Sequence, residues 1–322
     1  MYIDLHCDTI IKYIKDEKVE EFMFGENSDI NLKKLLDNKV KSQFMAIYLY
    51  NEDYEDNPGL GEISDWDYID KCIGFLEKTS EKYREKLKIV RNYKQYIEAK
   101  NKNKLSIFIT IEDGRCIRQI DDVGKLKNKG ISLVTLLWNN ENKIGYPHSK
   151  NKKEDSLGLT DFGIKIVEEM NKKGIIIDVS HLSNGGFWDV YKYSKYPFMA
   201  THSNAKGVQD HSRNLDDKQI KAIANKGGVI GLNVFPPFAN GTNTAEFKDY
   251  KNHLQYILKI AGEDTIALGT DFDGINGNYS INSPKKVIEF MNYLNLKGFS
   301  MELIEKFAYK NVERFIQEFY WG

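Results

Sequence analysis

"GIIIDVSH", residues 174–181, runs three isoleucines together and then sets Asp178, Ser180 and His181 around a single valine. A strand with one wet face alternates apolar and polar residues. A run this continuous reads instead as a strand covered on both faces, as crossover helices cover a parallel sheet. The preceding segment, "LTDFGIKIVEEMNKKG" (159–174), reads as the matching helix, capped by Thr160 and stopped by Gly174. The polar residues fall at the C-terminal end of the strand, where parallel α/β proteins place their chemistry.

The same unit recurs along the chain. Apolar runs occupy residues 2–8, 40–50, 105–113, 131–138, 174–181, 197–203, 228–235 and 265–273, with helical patterns such as "DDKQIKAIANKG" (216–227) between them. Eight such runs alternating with helices over 322 residues predict an α/β fold, a (β/α)8 TIM barrel, with a doubly wound open sheet as the competing architecture. Residues 51–104 read as extra helices inserted after the second strand, and 139–158 as a polar loop after the fourth. The last segment, "SMELIEKFAYKNVERFIQEFYW" (300–321), reads as a closing helix. No repeat or Pro- or Gly/Ser-rich linker divides the chain, so residues 1–322 are expected to form a single domain.

With 46 basic against 47 acidic side chains the net charge is −1, which favours neither nucleic acid nor an anionic membrane as partner. No apolar run approaches a membrane span, and residues 1–9 show no secretory pattern. The three cysteines, Cys7, Cys72 and Cys116, are scattered and read as free thiols. The expected location is the cytoplasm.

Function is concentrated at the strand ends. The first strand, in "YIDLHCDT" (2–9), reads as placing Asp4, His6 and Asp8 on one face and Ile3, Leu5 and Cys7 on the other. The third ends with Glu112 and Asp113, the fifth with Asp178 and His181, the sixth with His202, and the eighth with Asp271 and Asp273. Taken singly, each has an ordinary structural explanation: Glu112 as a helix cap, Asp271 as a turn former, Asp178 as a packing partner. Taken together, three imidazoles and several carboxylates on one barrel face are costly to bury unless a cation or a hydrogen-bond network compensates them. Imidazole and carboxylate ligands without thiolates suit zinc, with manganese or cobalt as substitutes. Their number suits two ions roughly 3.5–4 Å apart rather than one, and hydrolysis of an amide or ester is the reaction class this favours. No G-x-S-x-G, H-E-x-x-H or Walker motif is present, and "GLG" (59–61) lacks the third glycine of a dinucleotide fingerprint.

The motifs "DLHCDT", "TIEDG", "IIIDVSHLS", "FMATHSNA", "SRNLDD" and "GTDFDG", in that order from residue 4 to residue 274, resemble those of the membrane (renal) dipeptidase family of zinc peptidases in the amidohydrolase superfamily. The resemblance implies two Zn2+ ions, one held by His6 and Asp8, the other by His181 and His202, with Glu112 bridging both. It implies that Asp271 manages protons on a bridging hydroxide and on the leaving amine, and that Arg213 pairs with the carboxylate of a dipeptide substrate. A D-residue at the C-terminal position is tolerated in such enzymes, some of which hydrolyse β-lactam-like amides, and a homodimer is implied.

One departure stands out. Many members carry a substrate-contacting histidine after the fourth strand, where "TLLWNN" places Trp138. An altered substrate, or a replacement donor from Asn139 or His148, is the expectation that follows. A deaminase, a lactonase or a non-catalytic metal-binding barrel are the alternatives.

Overall fold

The apolar runs are continuous because both faces of each strand are buried. The computed structural model describes residues 1–49 and 63–322; Tyr50, the first part of the 51–104 insertion and "GLG" at 59–61 lie outside the described residues. Eight parallel strands close into a barrel: β1 Ile3–Asp4, β2 Ser42–Tyr48, β3 Leu105–Glu112, β4 Leu133–Thr135, β5 Ile176–Asp178, β6 Met199–Ala200, β7 Val229–Leu232 and β8 Ile266–Leu268. β1 lies between β2 and β8. The long β2–β3 ladder, from Ser42 opposite Ser106 to Tyr48 opposite Glu112, belongs to the same closed ring. This is the expected (β/α)8 barrel, and no open sheet edge remains in the ring.

Alternate side chains divide the apolar residues between two cores. Ile3 and Leu5, Phe44, Phe108, Leu133, Ile176, Met199, Val229 and Ala267, drawn from all eight strands, pack together in the barrel interior. Their neighbours, such as Met45, Ile109, Val134, Ile177, Ile230 and Leu268, pack outward against the helices. The interior is floored by Val312, Phe315, Ile316 and Phe319 from the closing helix (Asn311–Glu318) and the residue after it. That floor fills the end of the barrel from which the strands start, and the cluster of histidines and carboxylates lies at the other end. Two interior glycines, Gly231 and Gly269, have no room for a side chain: a Cβ on either would lie 1.8 Å from the Thr201 carbonyl oxygen.

The regular strands are shorter than the apolar runs, and two features differ from the sequence reading. First, the alternation in "YIDLHCDT" breaks at a bend at Leu5. Ile3 and Leu5 pack inside the barrel while Cys7 belongs to the outer core, so Asp4 does not share a face with His6 and Asp8. The bend has a local cause: one Asp4 carboxylate oxygen accepts the backbone N–H of His6 (3.5 Å) and that of Thr270 (2.9 Å). Second, the insertion contains a strand, Leu87–Ile89, as well as the helices Asp65–Lys82 and Tyr93–Asn101. It pairs with Leu105–Ile107, the part of β3 that β4 leaves open. Three residues carry too little periodicity to be read in advance. Among the described residues no helix is long and apolar enough to cross a membrane.

Two outcomes follow from this packing. Phe315→Ala removes a floor residue that is 1% exposed and should destabilise the chain by about 3–5 kcal/mol, read as a lower denaturation midpoint with unchanged slope. His253 is fully buried, accepting the N–H of Ala205 (3.1 Å) on Nδ1 and facing the Ala239 carbonyl (2.8 Å) with Nε2. Burial pushes its pKa down to about 4, against the opposing effect of the Ala239 bond. Below about pH 6.5 an unfolded histidine takes up a proton that the folded one refuses until about pH 4. Its contribution is therefore complete above pH 6.5 and is lost as the pH falls through that window. Comparing wild type with His253→Gln isolates this loss from the titration of buried carboxylates: the stability difference between them should narrow as the pH falls from 6.5 to 4.

Candidate active site

Five of the eight barrel strands deliver histidines or acids to the same mouth. Glu112 is the last residue of β3, and His6 and Asp8, His181, His202 and Asp271 follow β1, β5, β6 and β8. His181 and Asp271 hold positive φ, 68° and 65°, a conformation that non-glycine residues rarely adopt. Backbone bonds secure both: the His181 carbonyl accepts the N–H of His148 (2.7 Å), and Asp271 donates its N–H to the His6 carbonyl (3.1 Å).

Glu112 organises the cluster. Its Oε2 lies 3.4 Å from His6 Nε2, which is also 3.4 Å from Asp8 Oδ2 and 3.8 Å from Asp271 Oδ1. Its Oε1 lies 3.1 Å from His181 Nε2 and 3.5 Å from His202 Nε2. One carboxylate thus faces both halves of the donor set. Donor atoms of His6, Glu112 and His202 lie within 4.8 Å of one another, as do those of His6, Asp8 and Asp271. His6 and His202 are 1% exposed, Glu112 2% and Asp271 8%.

The electrostatics show a shortage of positive charge. Burial raises the Glu112 pKa to about 7, with His6 opposing and Asp8 adding to the rise. Burial raises Asp271 to about 6, again against His6. Burial opposes a charge on His6, yet Glu112 and Asp8 outweigh it and hold that imidazole well above its usual pKa. His181 and His202 go the other way, held well below the usual value by burial and then by neighbouring cationic groups.

The donors fit divalent metal ions. Among the described residues, both ring nitrogens of His6 and Oδ1 of Asp8 are buried without a hydrogen-bond partner, an expensive condition that coordination would relieve. The set is imidazole nitrogen and carboxylate oxygen, which suits zinc and its first-row neighbours.

Arg213 stands beside this cluster. It is 4% exposed, and its Nη2 donates to the His202 carbonyl (3.3 Å) and its Nη1 to Ser203 Oγ (3.5 Å). Its Nε has no partner, and its guanidinium carbon lies 5.3 Å from the Phe238 ring centroid. Among the described residues it forms no ion pair. Asp216, a nearby carboxylate in sequence, instead caps the helix Asp217–Asn225 by accepting the Gln219 N–H (2.8 Å). Burial lowers the Arg213 pKa to about 10, so it stays protonated near neutrality. A cleft beside it is lined by His181, Leu182, Phe187, Ser203 and Ser212.

Trp138, Asn139 and His148 all gather on the flank of His181. The Trp138 ring lies 6.4 Å from that of His181 and 5.1 Å from that of Tyr48. Asn139 turns its oxygen to His181 Nδ1 (3.0 Å), so it orients that ring with an acceptor, not with its N–H groups. His148 meets Ser212 Oγ (2.9 Å) and, more distantly, Asn139 Oδ1 (3.3 Å); burial and then Arg213 push its pKa down to about 3.

Asp113 and Asp273 serve structure: Asp113 accepts from Asn142 Nδ2 (2.6 Å) and the Arg115 N–H (3.0 Å), and Asp273 from Thr9 Oγ1 (2.5 Å) and the Asp29 N–H (2.8 Å). Asn233 escaped the sequence reading. Its Nδ2 donates to Asp271 Oδ2 (2.9 Å) and to the His202 carbonyl (3.3 Å). The available signal was its place at the polar end of the seventh apolar run.

Comparison with known proteins gives this geometry a lineage. Residues 1–320 match the family model described as membrane dipeptidase (peptidase family M19). An uncharacterized protein in the pqqA 5′ region of Klebsiella pneumoniae is 32% identical over 56% of this chain and 70% of its own length. An uncharacterized dipeptidase of Schizosaccharomyces pombe is 28% identical over 79% of this chain, and the match spans 63% of that protein. A crystal structure of a metallo peptidase from Rhodobacter sphaeroides, liganded with a phosphinate mimic of the dipeptide L-Ala-D-Ala, superimposes with a TM-score of 0.89 at 22% identity over 99% of both chains. The chain belongs to the membrane dipeptidase family, peptidase family M19.

Proposed function

We propose that this chain is a zinc-dependent dipeptidase that cleaves a peptide bond one residue from a free C-terminal carboxylate. The observation that carries the reading is Arg213: a buried guanidinium without an anionic partner, bonded to the carbonyl of His202 and so fixed at the edge of the donor cluster. A bidentate carboxylate is the natural partner for such a group, and one held there leaves the preceding amide over the cluster.

His6 and Asp8 would hold one ion and His181 and His202 the other, with Glu112 shared; manganese or cobalt are plausible substitutes for zinc. Divalent ions bound there would polarise a carbonyl and acidify water. The chain's own residues do the rest. Asn233 ties down Asp271 Oδ2, leaving Oδ1, 3.8 Å from His6 Nε2, to take a proton and return it to the departing amine. Asn139 keeps His181 in one orientation. Trp138, Asn139 and His148 bound the substrate on the His181 side. The dipeptide mimic carried by the Rhodobacter sphaeroides protein ends in a D-residue, and tolerance of either hand at the C-terminal position is proposed here too.

The test is hydrolysis of a dipeptide panel, L–L and L–D, by zinc-loaded protein with and without chelator. Cleavage should stop with chelator and fail on C-terminally amidated substrates. Arg213→Ala should cost about 2–5 kcal/mol of transition-state binding, at least roughly 30-fold in kcat/KM, with Arg213→Lys in between. Equal turnover of free and amidated dipeptides would remove the role given to Arg213, and activity indifferent to chelator would remove the metal.

A further inference from the structure

Two buried aspartates beneath the site make the same pattern of bonds. Asp178, at the end of β5, accepts on Oδ1 the N–H groups of Ser180 (3.0 Å) and Thr201 (2.8 Å), and on Oδ2 the hydroxyls of Thr201 (2.6 Å) and Thr135 (2.6 Å). Asp4, at the end of β1, accepts on Oδ1 the N–H groups of His6 (3.5 Å) and Thr270 (2.9 Å), and on Oδ2 the hydroxyl of Thr270 (2.7 Å) and the amide of Gln43 (3.0 Å). In each case the aspartate binds the N–H two residues on and clamps, on the neighbouring strand, the threonine directly before a site residue: Thr201 before His202, Thr270 before Asp271.

The difference that matters lies on the threonine: Thr270 Oγ1 accepts the N–H of Phe272 (3.4 Å), whereas Thr201 Oγ1 meets an imidazole. Thr201 Oγ1 also lies 2.8 Å from His202 Nδ1. Four donors fill the four acceptor positions of Asp178 and leave none for a proton of its own, so it acts as a pure acceptor. The single hydroxyl proton of Thr201 therefore goes to Asp178, and its oxygen can only receive from His202. The ring proton then sits on Nδ1, and the lone pair sits on Nε2, which faces Glu112 Oε1 (3.5 Å) and His181 Nε2 (2.9 Å). Asn139 Oδ1 imposes the same choice on His181. Two lone pairs turned toward each other at that distance suit a shared neighbourhood of positive charge.

We propose that Asp178, acting through Thr201, is a positioning residue that fixes the Nδ1–H tautomer of His202 and so presents Nε2 as a metal donor. Asp4 is the control built into the same fold: its threonine precedes a carboxylate, which has no tautomer to choose. The inference rests on the metal-site part of the proposed function and not on the identity of the substrate.

Histidine-specific 15N labelling of the metal-free chain, read by two-bond 1H–15N correlation, reports the tautomer directly; the missing signal in His202→Gln assigns it. Wild type should show an unprotonated Nε2 at His202. In Asp178→Asn an amide must donate where the carboxylate accepted. Thr201 then accepts from that amide and donates its hydroxyl hydrogen bond to Nδ1, so the ring proton sits on Nε2 and zinc in competition titration binds roughly 10- to 100-fold more weakly at one of the two equivalents. Asp4→Asn should leave the tautomer unchanged. If Asp178→Asn does not fold, Thr201→Val should lose the preference for Nδ1–H and Thr201→Ser should keep it. A protonated Nε2 in wild type, or an unchanged tautomer in both Asp178→Asn and Thr201→Val, would overturn the proposal. Because the spectrum involves neither metal nor substrate, it separates failure of this inference from failure of the dipeptidase reading.

Discussion

Everything at the barrel mouth depends on burying Glu112, which is 2% exposed and touches three imidazoles with its two oxygens. A carboxylate in that position is tolerable only if positive charge is held around it from several directions at once. No single strand can arrange that. The closed ring does so because parallel strands all end at one face, and the long β2–β3 ladder carries Glu112 to its place. The aromatic and aliphatic floor at the other end, from Phe315 to Phe319, keeps water from the interior below the cluster.

The barrel and the gathering of histidines and acids at its mouth were legible because their signals are local. Eight apolar runs recur between helical patterns, and five of them (2–8, 105–113, 174–181, 197–203 and 265–273) carry a histidine or acid at their C-terminal end. What was not legible depends on partners far apart in sequence. The bend at Leu5 is caused in part by Asp4 binding Thr270, 266 residues away, and it overrides the two-residue period that the pattern predicts. Asn233 and Thr201 matter through hydrogen bonds to site residues distant in sequence or on a neighbouring strand, and Asn and Thr are common at strand ends for many other reasons. Arg213 was readable only through its family motif; its burial and its freedom from Asp216 are products of the fold.

The family resemblance and the bonds of the structure meet at different residues. Motif matching places His6, Asp8, Glu112, His181 and His202 in a list of donors. The hydrogen bonds say which atom of each donor is available: Nε2 of His181, because Asn139 occupies Nδ1, and Nε2 of His202, because Thr201 does. His6 has no such partner on either nitrogen. Its half of the cluster is therefore oriented by packing against His202, with ring centroids 3.9 Å apart, and by the backbone held at Asp4.

Charge balance bears on how many ions the site takes. Five buried carboxylates face the cluster or are bonded to its strand ends: Asp4, Asp8, Glu112, Asp178 and Asp271. Among the described residues, Arg213 is the one permanent cation against them. Two divalent ions would bring the set to neutrality, whereas one would leave two negative charges in a region of low dielectric, each costing several kcal/mol to keep dry. The pKa shifts fall in line with this: His6, Glu112 and Asp271 all move toward holding protons, which marks where positive charge is required. Ions bound there would displace those protons, and Arg213, already desolvated, would be left for an anion that arrives with the substrate.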